Sequence, residues 1–212
     1  MYVTFGTYNS GTGLYTWTVP VSDGGSINSN NGYGQYSHIQ NLHVTYRASD
    51  EKLIYIWQPT SGGGTNTLGY VQLNVGLQTI TFANSYHQLA GTGTSGTGNG
   101  PACSVALSPS GALGCAISDD SGTSTHLQAF TLSSGGSWSV GTQLDITGLN
   151  SGHNTRRSAI HFVSETSAIL HTATSAGTGY QQLSFSGTTP SLEGSFVAMT
   201  SSVPTVSQMK WK

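Results

Sequence analysis

The residues able to do chemistry are few and scattered. Eight carboxylates stand at Asp23, Asp50, Glu51, Asp119, Asp120, Asp145, Glu165 and Glu193, and seven histidines at His38, His43, His87, His126, His153, His161 and His171. A bound metal needs such groups at ligand spacing, as in HExxH, and no comparable pair occurs. The two cysteines form neither a CxxC nor a zinc-type His/Cys pattern. No Gly-x-Ser-x-Gly elbow marks a nucleophilic serine. The Gly-rich run 91–100 lacks the lysine of a phosphate loop and reads as a flexible connection. Asp119-Asp120, ahead of Gly122-Thr123, would offer oxygens to calcium, but without the EF-hand spacing. Asp50-Glu51 and Glu165 fall in polar turns, where a carboxylate bonds its own backbone. His161 and His171 fall on neighbouring strands and can approach each other, in a structural role. The expectation is a chain that is not an enzyme and carries no cofactor or metal.

The aromatic residues offer a different chemistry. Trp17, Trp57 and Trp138 sit in or beside apolar runs, with Tyr55, Tyr70 and Tyr180 nearby in pattern. A rigid flat ring can stack on a sugar. These three tryptophans are therefore the candidate ligand-binding residues, set against the competing role of filling space between packed sheets. Three of the four tryptophans are expected to pack in this way.

The composition narrows the partners. Only 7% of the 212 residues are charged, against roughly 25% in an ordinary domain. Six Lys and Arg with a net charge of −2 give no stripe that could neutralise phosphates, which argues against nucleic acid. Arg156-Arg157 is the only basic pair and reads as loop charge. No apolar run reaches the roughly 18 residues of a membrane span. The opening "MYVTFGTY" reads as strand rather than signal peptide. Gly is abundant at 29 residues, yet 4 Trp, 10 Tyr and 6 Phe set disorder aside except locally. Cys103 and Cys115 flank the turn Ser108-Pro109-Ser110-Gly111, nearly opposite each other in a hairpin centred there. A disulfide is conceivable, but two reduced, buried thiols are the favoured state.

The elements that must position these residues come from a repeat. Gly-Thr, read as a turn, followed by an alternating apolar run occurs at Gly11, Gly64, Gly122 and Gly177, at intervals of 53, 58 and 55 residues. The runs are Leu14–Val19, Leu68–Val75, Leu127–Leu132 and Tyr180–Phe185. Two runs joined by a polar turn precede three of them: His43–Tyr46 and Leu53–Trp57, Ser104–Leu107 and Leu113–Ile117, and Ala159–Phe162 and Ala168–Ala173. A weaker run follows: Leu77–Phe82, Trp138–Ile146 and Leu192–Ala198. Four antiparallel strands every 50-odd residues is the rhythm of a β-propeller blade. The first copy lacks its first strand, since Tyr2–Gly6 already reads as the second. Val206–Trp211 is a lone first strand at the other end. The expected fold is thus all-β: one propeller domain over residues 1–212, closed by pairing Val206–Trp211 with Tyr2–Gly6. Its four short blades span about 204–212 plus 1–36, 37–90, 100–150 and 156–203. A two-sheet sandwich or open β array is the alternative, and so is a larger ring closed by a partner copy.

The stretch "PACSVALSPSGALGCAISDDSGTSTHLQAFTL", Pro101–Leu132, resembles the repeat of lactonase-type and YVTN-type propellers, and "MYVTFGTYNSGTGLYTW" resembles their opening. The resemblance implies propeller architecture. It carries no catalytic residue across, because those enzymes have about seven blades and this chain has room for four. The Ser/Thr/Gly/Asn texture also resembles propeller-like repeats of bacteriophage fibre and virion-surface proteins. That resemblance implies a non-enzymatic structural or attachment component on a virion or cell surface. Its partners would be other structural proteins of the assembly, copies of itself, or surface glycans. A soluble carbohydrate-binding lectin is the alternative, and a small propeller enzyme a second one.

Overall fold

The computed structural model describes residues 2–22, 39–59, 67–82, 86–89, 103–119, 124–147, 158–174 and 177–199. Within these the protein is all-β, and every strand pairing is antiparallel. The N-terminal unit consists of β1 (Tyr2–Val3), β2 (Gly6–Asn9), β3 (Leu14–Trp17) and β4 (Val21–Ser22), paired as two ribbons, β1 with β4 and β2 with β3. The second sheet runs β5 (Ile39–Arg47), β6 (Lys52–Pro59), β7 (Thr67–Asn74) and β8 (Thr79–Phe82), with β9 (His87–Gln88) also on β7. The third runs β10 (Cys103–Leu107), β11 (Gly114–Asp119), β12 (Ser124–Leu132) and β13 (Trp138–Val140), with β14 (Leu144–Thr147) also on β12. The fourth runs β15 (Ala159–Phe162), β16 (Ser167–Thr174), β17 (Gly177–Ser186) and β18 (Thr189–Ala198).

Each four-run group of the sequence is therefore one sheet in simple up-and-down order. The details differ where backbone geometry intervenes. Gly177-Thr178 is not a turn but the start of β17, because Gly177 pairs with Thr174 and Thr178 with Ala173. In the first copy, by contrast, Gly11-Thr12 does lie in the turn between β2 and β3. The run Leu14–Val19 stops at Trp17. Two residues, Thr4 and Phe5, oppose three, Thr18 to Pro20, between the pairs Gly6–Trp17 and Val3–Val21. This is a bulge around Pro20, which has no N–H to give a ladder. The Thr18 hydroxyl accepts from Phe5 N at 3.0 Å, and Thr4 Oγ1 donates to Thr18 O at 2.7 Å, replacing the lost ladder bonds. The run Trp138–Ile146 is broken at Gly141–Gln143 into β13 and β14.

Register also settles the cysteines. Cys103 stands opposite Ser118 and Cys115 opposite Ala106, so the two are not facing each other as expected. They point to opposite faces, Cys103 into the cluster shared with the second sheet and Cys115 into that shared with the fourth. A disulfide cannot span that arrangement. Both cysteines are buried, and burial pushes the Cys115 thiol far up its range.

Three apolar clusters join the sheets in sequence order. Val3 and Phe5 pack with Tyr55, Trp57, Val71 and Leu73 between the N-terminal unit and the second sheet. Ile54, Ile56 and Leu68 meet Val105, Ala116 and Phe130 between the second and third. Ile117, Leu127 and Ala129 meet Ile160, Leu170, Leu183 and Phe185 between the third and fourth. Alternation along a strand sends adjacent side chains to opposite faces, so the second and third sheets bury apolar residues on both. A ring lies over a paired glycine in three units: Trp17 over Gly6, Tyr55 over Gly69 and Phe130 over Gly114. Glycine leaves the ring room to lie flat on the sheet, a known cross-strand device.

Charged side chains tie the sheets at the end where the first and second strands turn. The buried Arg47 guanidinium donates to both Asp50 oxygens, at 2.8 and 2.7 Å, and reaches Leu132 O of the third sheet at 2.6 Å. The buried Lys52 ammonium donates to Asp50 Oδ2 at 2.6 Å and to Ser134 O at 2.9 Å. Next along, Glu165 of the fourth sheet accepts from Ser110 N at 2.8 Å and Ser110 Oγ at 2.6 Å in the third. Two glycines let these turns close up. Gly111 (φ 73°) lies against the Arg47 stem, and Gly136 (φ 88°) lies under the Tyr70 hydroxyl. At the opposite end, Ser158 Oγ donates to Thr172 Oγ1 at 3.0 Å and meets Thr125 Oγ1 at 3.5 Å, linking the third and fourth sheets through buried hydroxyls.

The expected closing strand, Val206–Trp211, lies outside the described residues. The turn carboxylates were expected to bond their own backbone; instead Asp50 holds the Arg47 and Lys52 side chains, Glu51 accepts from Val75 N, and Glu165 accepts from Ser110 of the third sheet. Burial alone would raise the Asp50 pKa, but the Arg47 and Lys52 bonds and charges outweigh it and hold the carboxyl below its ordinary value. Replacing Asp50 by Ala leaves two buried cations without their anion. Because both keep a carbonyl acceptor and Asp50 is partly exposed, the expected loss is about 2–3 kcal/mol, below the full cost of breaking a buried pair. Urea unfolding of Asp50→Ala measures it, and a change under about 0.5 kcal/mol would refute the tie.

Candidate functional site

The β2–β3 hairpin is built by its turn. The Asn9 side-chain oxygen accepts from Gly11 N at 2.9 Å and Thr12 N at 3.2 Å, and Asn9 O accepts from Gly13 N at 2.8 Å. Gly13 takes the left-handed conformation (φ 69°) that lets the chain re-enter β3. This register places Tyr8 opposite Tyr15 and Gly6 opposite Trp17. The three rings thus share one face. Tyr8 and Tyr15 lie 5.1 Å apart, tilted by 46°, and Tyr15 and Trp17 lie 5.6 Å apart, nearly parallel at 23°. All three are 56–61% exposed. The other face is tied to the second sheet, where Thr7 Oγ1 accepts from Gln78 Nε2 at 3.0 Å. Residues 2–22 contain no charged side chain. The result is a flat, uncharged aromatic surface held by a fixed turn, suited to stacking on another flat apolar face.

The other aromatic candidates are placed differently. Trp57 is 2% exposed in the cluster beneath the N-terminal unit, its indole nitrogen buried without a hydrogen-bond partner among the described residues. Trp138 is partly buried, edge-on to Phe130 at 5.4 Å and Tyr70 at 6.1 Å. Tyr55 is buried, Tyr70 receives the Lys52 ammonium over its ring at 5.6 Å, and Tyr180 lies 6.4 Å from His171. Trp211 lies outside the described residues. Trp57 and Trp138 therefore pack between sheets, and Trp17 alone of the three named tryptophans presents a ring to solvent. Tyr8 and Tyr15 were not singled out from sequence. The signal was available in the spacing of Tyr8, Tyr15 and Trp17 about a turn at Asn9–Gly13, but it required the hairpin register.

A second polar grouping spans the third sheet. Cys103, Ser118, His126 and Asp145 fall in one row across β10, β11, β12 and β14. His126 Nδ1 lies 2.6 Å from Asp145 Oδ1, and Gln143 Nε2 contacts both. The His126 and Gln143 bonds hold the Asp145 carboxyl below its ordinary pKa. The pair ties β12 to β14, while Ser118 and Cys103 are buried inside the sheet stack. Among the described residues no three His, Cys, Asp or Glu stand close enough to hold a metal ion. His161 and His171 do approach, as diagonal neighbours on β15 and β16. The chain matches no protein-family model and no curated protein.

Histidine chemistry sets the pH response. Lost hydration lowers the pKa of His43, His87 and, with the nearby His161 charge, His171. His43 Nδ1 also accepts the Val105 N–H at 3.2 Å, joining β5 to β10 through a nitrogen that must be unprotonated. Because the folded pKa lies below the ordinary histidine value of about 6.5, the unfolded chain binds protons first on acidification. Their contribution is complete above about 6.5 and is lost as the pH falls through the folded values. Urea midpoints should drop between pH 7.5 and 5, with a smaller drop in His43→Gln. A flat profile would remove this role.

Proposed function

We propose that the protein is a non-enzymatic structural or attachment component displayed on a virion or cell surface, its four sheets closed into a small propeller. The exposed, uncharged aromatic face of Tyr8, Tyr15 and Trp17 carries this reading. A stacked β array whose carboxylates and cations serve inter-sheet ties, with one apolar contact face at its N-terminal edge, suits adhesion better than catalysis. In the ring, Val206–Trp211 pairs beside Tyr2–Gly6. Partners are neighbouring structural proteins, further copies of the chain, or glycans.

The near-parallel Tyr15–Trp17 stack favours the second reading, a carbohydrate-binding lectin, in which neutral sugar rings lie on that face. The two readings part on the ligand. In a native assembly, an attachment component shows this face against a partner, in an interface of well over ~1,000 Å². A lectin shows glycan-array binding by the isolated chain. In either case Trp17→Ala should weaken binding roughly tenfold while leaving the urea midpoint within about 0.5 kcal/mol of the parent, since the ring is largely exposed. Binding unchanged in Trp17→Ala, or no binding of any kind, overturns the assignment of this face. The ring itself is tested by small-angle scattering, where a compact closed chain of this length has a radius of gyration of about 17 Å.

A further inference from the structure

His126, Gln143 and Asp145 come together in the third sheet. His126 stands in β12 directly opposite Asp145 in β14, and Gln143 lies one residue ahead of that strand. The break that carries Gln143 is fixed by Gln128, whose Nε2 donates to Gly141 O at 3.1 Å. Three polar atoms therefore face one point. His126 Nδ1 lies 2.6 Å from Asp145 Oδ1 and 3.0 Å from Gln143 Nε2, and Gln143 Nε2 also contacts Asp145 Oδ1. While Asp145 is ionised, no placement of protons satisfies all three approaches. With Nδ1 protonated, two N–H donors oppose each other across the His126–Gln143 contact. With Nδ1 unprotonated, its lone pair opposes the carboxylate. In both cases Gln143 Oε1 is buried with no hydrogen-bond partner among the described residues. A buried acceptor without a donor is costly.

We propose that this triangle binds one divalent transition-metal ion of the zinc type, ligated by His126 Nδ1, Asp145 Oδ1 and the Gln143 side-chain oxygen. A half-turn of the Gln143 amide exchanges Nε2 for Oε1. All three atoms then present lone pairs to the same point, and a cation satisfies them together. The spacing fits. Ligands at right angles, each about 2.1 Å from a metal, stand about 3 Å apart. The imidazole nitrogen selects a zinc-like ion over calcium or magnesium, which take oxygen ligands. Asp145 is half-exposed and His126 largely buried, so water completes the coordination from the open side. Ligand spacing in the sequence does not reveal the site, because only the strand register brings His126 to Asp145 and glutamine is outside the usual ligand set. The ion clips β12 to β14 and is independent of the aromatic face on the β2–β3 hairpin.

Calorimetric titration of zinc chloride into the chelator-treated full chain tests the site. One equivalent should bind, with a Kd of roughly micromolar order. His126→Gln and Asp145→Asn should each weaken this at least tenfold. Gln143→Glu separates ligation from simple hydrogen bonding. Its second carboxylate should lower the urea midpoint in chelator and tighten zinc binding severalfold, with zinc restoring the midpoint. His171→Asn, in the fourth sheet, should bind zinc as the parent does. Cobalt(II) in place of zinc should give visible absorption bands that are lost in His126→Gln. No zinc binding by the parent chain overturns the proposal. So does zinc binding undiminished in both His126→Gln and Asp145→Asn, or lost in His171→Asn. A Gln143→Glu chain that zinc does not restore leaves the triangle a hydrogen-bonding role only and overturns it as well.

Discussion

The constraint on which the structure depends is that its interior sheets are apolar on both faces. In β11, Ala116 points into one cluster while Cys115 and Ile117 point into the next. Such a sheet has no solvent face and must be covered twice. The chain meets that demand by making each sheet the cover of its neighbour. With only 7% of the chain charged and no helix among the described residues, neighbouring sheets supply that cover.

Serial stacking then explains where the polar groups lie. A charge inside such a stack must be paired. Arg47 and Lys52 are buried because Asp50 and two carbonyls of the third sheet satisfy them, and they cross-link the sheets in doing so. The Ser158–Thr172–Thr125 hydroxyls serve the opposite end in the same way. Turn chemistry and tertiary packing are therefore one system: Gly111 and Gly136 are required both by their positive φ and by the side chains from the next sheet that rest on them.

A stack that covers each sheet with its neighbour has a difficulty only at its ends. That is where the exposed apolar residues gather: Leu42, Val44 and Tyr46 on β5, and Tyr8, Tyr15 and Trp17 on the hairpin. The first group lines the face of β5 that its pairing partners Tyr55 and Trp57 share toward the N-terminal unit. The second lines the face of the β2–β3 hairpin opposite the one that meets the second sheet through Thr7.

Strand existence and order were legible in the sequence because apolar alternation has a period of two and the turns are marked by Gly, Ser, Pro and Asp. His43–Tyr46 with Leu53–Trp57, and Ala159–Phe162 with Ala168–Ala173, are hairpins in the structure as their patterns require. Register was not legible, since a shift of one residue preserves composition while exchanging faces. That is why Cys103 and Cys115 looked opposed and why Gly177-Thr178 looked like a turn. Burial was not legible either: Trp17, Trp57 and Trp138 sit in equally apolar runs. Only the stacking of one sheet on another separated the indole that faces solvent from the two that pack. The sequence by itself determined the sheets and their succession, through local periodicity. The tertiary structure alone decided which faces are covered, because covering depends on what the neighbouring sheet presents.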